Sequence, residues 1–193
     1  MTGTLLGNII GTAYFAYFQL AGILLALFAL PKEKTATKLV VGSGLGSLCM
    51  QWICVLWAFV LGFDITAHIL AAATVLPAFV VAVYFKVDIK QQIKNLFAEI
   101  NRHKVIVVLF GAMFVLWCVL LDGHIIPMSA DGAIHTGQCT YGDMNMHLGF
   151  ISSIAQLGEF PPVYSIFPDT KLAYPFLNAS ISSSIYQIGR AHV

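Results

Sequence analysis

Apolar and charged positions alternate along this chain in blocks rather than residue by residue. Four apolar runs, residues 4–30, 39–63, 65–85 and 105–121, contain no Asp, Glu, Lys or Arg. A helix needs roughly 20 apolar residues to cross a hydrocarbon core about 30 Å thick, with about 17 as the lower limit. The first three runs pass easily and the fourth narrowly. Inside a bilayer only helices and closed barrels satisfy the backbone, and unbroken runs of this length read as helices. Between the third and fourth runs, residues 86–104 change character. Ile89, Ile93, Leu96 and Ile100 recur at helical spacing with Phe97 beside them, while Lys90, Lys94 and Arg102 lie elsewhere. The pattern reads as an amphipathic helix on the membrane surface, or else as a solvated connector.

Beyond the fourth run, residues 122–139 are rich in Gly, Pro, Ser and Asp and read as loop. Residues 143–157 carry Leu148, Ile151, Ile154 and Ala155 on one helical face, and Pro161-Pro162 is the expected stop, since proline lacks the amide donor. Residues 163–175 are again irregular, and 176–187 open what reads as a fifth span. The expected fold is therefore an all-α integral membrane protein. A four-helix transmembrane region covers 1–121 and an extracytoplasmic loop with a short juxtamembrane helix covers 122–175, ahead of the start of a fifth transmembrane helix. The last six residues, "IGRAHV" (188–193), match codon for codon one reading frame of a common sequencing adapter, ATC GGA AGA GCA CAC GTC. The expectation is that this reading frame runs off a DNA fragment, that the protein continues as a longer chain, and that the fragment alone is inactive.

Composition agrees: 59% of the 193 residues are hydrophobic and 10% charged, against about 25% charged in a soluble domain. The first run has no basic leader and is far longer than the about 7–15 residues of a signal-peptide core. Eight of the ten Lys and Arg fall in two segments: Lys32, Lys34 and Lys38, then Lys86, Lys90, Lys94, Arg102 and Lys104. Basic loops stay in the cytoplasm, which puts the N-terminus and residues 122–175 outside. With a net charge of +1, no nucleic-acid partner is expected; the bilayer is the expected one. Cys49, Cys54 and Cys118 lie in spans and Cys139 alone lies outside, with no metal-ligand spacing. Gly3, Gly7 and Gly11, and again Gly42 and Gly46, are four apart and suit close helix packing.

The chemistry concentrates in residues 140–162. On a helix Asp143 and His147 are neighbours one turn apart. The carboxylate can act as a general base or hold a divalent cation, with the imidazole to orient it. Equally, Asp143 can cap the helix and His147 can sit among headgroups.

Residues 141–186, "YGDMNMHLGFISSIAQLGEFPPVYSIFPDTKLAYPFLNASISSSIY", resemble the first outer loop of GT-C-type polytopic membrane glycosyltransferases and their bacterial relatives. An acid soon after a span at the start of a juxtamembrane helix, a G-x-x-P-P turn and a YP element before the next span are the similar features. The resemblance implies a multi-pass protein of the bacterial cytoplasmic membrane. Such a protein transfers a sugar from a polyprenyl-phosphate-linked donor to an acceptor on the outer face, with inversion. It puts Asp143 in the position of the catalytic acid with His147 beside it, and Glu159, Lys171 and Tyr174 as candidate substrate-binding residues. Some members of the family use a divalent cation, and the cofactor stays open. In this chain three extra spans precede the loop, and Gly142 stands where many members have a second acid. The competing functions are a multi-span transporter or flippase and a non-catalytic membrane protein.

Overall fold

The computed structural model describes residues 5–85, 87–126, 135–136, 141–167 and 169–190. It is helical almost throughout: α1 (Leu5–Ala29), α2 (Thr35–Leu61), α3 (Ile65–Tyr84), α4 (Ile89–Arg102), α5 (Lys104–His124), α6 (Tyr141–Leu157) and α7 (Leu177–Arg190). Three helices, α1, α2 and α3, are long and apolar enough to cross a membrane. The pair α4 and α5 adds a fourth if counted as one span, broken by 91°. These are the lengths and compositions of a multi-pass membrane protein. Contacts divide the chain into two compact units, Ile89–Leu148 and Thr2–Asp88 with Gly149–Val193, and α6 runs across the boundary.

In the larger unit α1 packs against α2, α3 and α7. Small residues make this possible. A side chain at Gly22 would strike the Gly42 carbonyl and the Gly46 amide, and one at Gly46 would lie 2.5 Å from the Phe18 carbonyl oxygen. On the same helix, Gly11 lies against the Ile185 carbonyl of α7, and Gly189 of α7 against Gly7. Backbones this close gain dispersion contacts that lipid cannot match. The sequence 176–187 thus forms a helix, α7, whose buried face of Ala179, Ser180, Ser183, Ser184 and Ile188 seats on the bundle. Polar ties link the helices: Gln19 Nε2 donates to Ser47 Oγ (3.1 Å), Ser43 Oγ donates to Gln19 Oε1 (2.7 Å), and Tyr17 Oη donates to the Ala72 carbonyl (2.9 Å). Around them Phe18, Met50, Cys54, Ala71 and Val75 form the core.

One boundary differs from the sequence reading, and one helix stop has a different cause. Helix α2 begins at Thr35 rather than after Lys38, so Lys38 sits in its first turn, 4% exposed, with Nζ 3.4 Å from the Pro31 carbonyl. Backbone hydrogen bonds do not require apolar side chains, so the helix runs past the end of the oily stretch. Helix α6 ends at Leu157, as the reading of 143–157 expects, but there Gly158 takes a positive φ of 65°, three residues before Pro161. Glycine, which carries no penalty there, stops the helix, and the prolines shape the loop after it.

In the smaller unit α4 and α5 meet at His103. Every side chain from Lys104 to Leu120 is exposed, so α5 is apolar on all faces, as a lipid-facing helix is. It extends to His124, and a short antiparallel ladder follows, pairing Ile125 with Thr136 and Ile126 with His135. Part of the segment read as loop is therefore ordered. Asp131, Cys139, and Ala191 to Val193 lie outside the described residues.

Candidate functional site

The first residue of α6 is Tyr141, so Asp143 is the third residue of the helix and not its cap. Its exposed carboxylate stands in the first turn, where the unpaired amides favour negative charge. His147 follows one turn later and is half-buried. Both belong to the smaller unit.

In the larger unit α6 has a buried and an exposed side. Phe150, Ser153, Ile154 and Ala155 are buried, whereas Ser152, Gln156 and Leu157 are exposed. Gly158 then turns the chain. Its carbonyl accepts from the Phe63 amide (2.7 Å), and Gly62, also at positive φ, faces it so closely that a side chain there would lie 2.9 Å from that oxygen. The α2–α3 turn is thus pinned to the end of α6. Aromatic rings extend the joint: Phe160 stands edge-on to Phe59 and Phe176 and stacks on Phe63, at centroid distances of 4.8, 5.6 and 6.0 Å.

Residues 162–172 double back as a small hairpin. Leu172 donates to the Pro162 carbonyl (2.8 Å), Val163 bridges Lys171, and the Tyr164 amide donates to the Thr170 carbonyl (2.7 Å). Asp169 turns it at φ 64°, a left-handed position that Asp tolerates better than most residues. Ser153 Oγ fastens the hairpin to α6 through the Val163 carbonyl (3.0 Å). Gly149 lets the Ser165 hydroxyl approach within 2.8 Å of where a Cβ would stand.

Between helix and hairpin lies an open cleft of about 510 Å³ lined by Ser152, Gln156, Glu159, Tyr164, Ser165 and Asp169, among others. Two carboxylates, an amide and several hydroxyls face it, and no Lys or Arg lines it. That chemistry suits hydroxyl groups or a cation and disfavours a phosphate. Of the residues expected to bind substrate, Glu159 therefore reaches a cleft. Lys171 is exposed on the return strand and Tyr174 packs its ring against Phe150 (5.4 Å), and neither lines the cleft. Asp169, ten residues from Glu159, carried no spacing signal; only the hairpin brings both to the cleft. Among the described residues no three His, Cys, Asp or Glu converge as a metal site would require.

A second polar cluster lies inside the bundle. His68 is fully buried, with Nδ1 2.6 Å from the Asp64 carbonyl and its ring edge-on to Phe63 (4.7 Å). Tyr14 Oη donates to the His68 carbonyl (3.1 Å) and lies 3.4 Å from Cys54 Sγ. Among the described residues His68 Nε2 and Ser184 Oγ are buried without a hydrogen-bond partner. Nδ1–H donating to a carbonyl leaves Nε2 as a bare acceptor. Compared with protein-family models, curated proteins and solved structures, the chain matches none.

Proposed function

We propose that this protein is a membrane glycosyltransferase acting at the outer face of a bacterial cytoplasmic membrane, with its N-terminus outside and α5 as the fourth of its spans. It would move a sugar from a polyprenyl-phosphate carrier to an acceptor hydroxyl. The observation that carries the reading is the exposed carboxylate of Asp143 in the first turn of α6, the next helix after the apolar α5. In the proposed reaction Asp143 accepts the proton of the acceptor hydroxyl, whose oxygen attacks the anomeric carbon. The bond from that carbon to the lipid phosphate breaks, and the phosphate leaves with the electron pair. His147, one turn on, orients the carboxylate. Charge on the leaving phosphate calls for a cation.

A positioned general base is worth roughly 10²–10⁴-fold in rate. Membranes containing the full-length protein should transfer sugar from a panel of polyprenyl-phosphate-linked hexoses, and Asp143→Asn should lower the rate by that factor with membrane insertion intact. Unchanged transfer by Asp143→Asn removes the base. A second reading, transport, draws on the buried His68 in a spanning helix, because ionisable groups there are costly and usually functional. Loss of substrate flux in His68→Phe, with no sugar transfer by the parent protein, would favour it.

A further inference from the structure

Helix α4 buries none of its residues, although Ile89, Ile93 and Phe97 are large and apolar. At about 100° per residue, Ile89, Ile93, Leu96, Phe97 and Ile100 fall within an arc of about 100°. Lys90 and Lys94 continue round the helix directly beyond Phe97, at one edge of that stripe, and both are exposed. Glu99 falls on the opposite flank. The polar back of the helix is tied by Gln91 Nε2 donating to Asn95 Oδ1 (2.9 Å). Arg102 and Lys104 add two exposed cations at the junction with α5.

The break between α4 and α5 is 91°. With α5 along the bilayer normal, that angle lays α4 in the plane of the membrane surface. There the apolar stripe can enter the acyl boundary, and lysines at its edge can extend to the headgroups on their alkyl stems. We infer that α4 is a docking surface for anionic phospholipid, with Lys90 and Lys94 selecting the charged headgroup and Phe97 seated among the chains. The inference rests on the membrane reading of α5 and not on the transferase reading.

The test uses the full chain in lipid nanodiscs holding equal parts phosphatidylglycerol and phosphatidylcholine, with either one brominated on its acyl chains. Phe97→Trp reports contact, as the quenching of its emission beyond that of the parent protein's Trp52, Trp57 and Trp117. The expected result is stronger quenching by brominated phosphatidylglycerol. Each basic side chain near an anionic surface favours it by roughly fivefold, so Lys90→Gln with Lys94→Gln should reduce the preference roughly 20- to 30-fold. The Lys90→Arg, Lys94→Arg pair should restore it, and salt should weaken it. Equal quenching by both lipids in the parent background overturns the charge selection. An introduced indole that emits as if in water and is quenched by neither overturns the docking surface itself, leaving a solvated connector or a protein-covered helix.

Discussion

Glycine at position 46 should be irreplaceable while glycine at 44, half a turn away on α2, should be dispensable. A Cβ built at Gly46 would lie 2.5 Å from the Phe18 carbonyl oxygen and 2.7 Å from Gln19 Cα, both backbone atoms of α1; at Gly44 nothing lies within 4 Å. Carbon atoms pack at about 3.5–4.0 Å, so Gly46→Ala must drive α1 and α2 apart by roughly 1 Å. Overpacking of this kind costs about 1–3 kcal/mol, and no flexible side chain is present to yield. Alanine also gains up to about 1 kcal/mol of helix propensity over glycine. Gly44→Ala carries that gain alone, so the difference between the two variants isolates the clash. Thermal unfolding in detergent micelles, followed by circular dichroism, should place Gly44→Ala at or above the parent. At roughly 2–4 °C per kcal/mol for a chain of this size, Gly46→Ala should melt some 2–12 °C below Gly44→Ala. Gly22→Ala strikes the same crossing, so Gly22→Ala with Gly46→Ala should cost less than the sum, because one separation relieves both contacts. Coincident melting curves for Gly44→Ala and Gly46→Ala would refute the crossing.

Three further outcomes follow from the same structure. Asp64 Oδ1 accepts from the Ala67 amide (2.9 Å) at the start of α3, so Asp64→Ala should cost about 1 kcal/mol and Asp64→Asn almost nothing, read from the same melts. Phe63 is fully buried between His68 and Phe160, so Phe63→Ala should cost about 3–5 kcal/mol and lower the melting midpoint more than any cap variant. Gly158 holds φ 65°, a conformation that costs most residues about 1–2 kcal/mol, so Gly158→Val should speed hydrogen exchange in 158–172 while Gly158→Asn changes it little.

The candidate site was half legible. Asp143 and His147 share a face because helical spacing alone puts them there, and the helix that carries them forms as its apolar stripe requires. The stop at Leu157 fell where expected, but its cause was misread. Proline is the louder local signal, but Gly158 can turn the chain earlier because the Phe63 amide waits to take its carbonyl. Lys171 and Tyr174 lie in the expected segment yet do not line the cleft, since side-chain placement in an irregular loop depends on the hairpin ladder and not on spacing. Asp169 had no signal to offer.

Where the chain is long and oily, sequence alone determined the outcome. Hydrocarbon tolerates neither charge nor an unpaired amide, so residues 5–29, 35–61 and 65–84 have helices as their one solution. Tertiary structure decided which glycine faces which helix. Gly7 and Gly11 serve α7, whereas Gly22, Gly42 and Gly46 close the α1–α2 crossing, and a four-residue spacing cannot name its partner. It also decided that Lys38 is buried, that His68 turns inward, and that Glu159 and Asp169 line one cleft. Each of these depends on groups brought together from distant parts of the chain, and local pattern carries no record of such meetings.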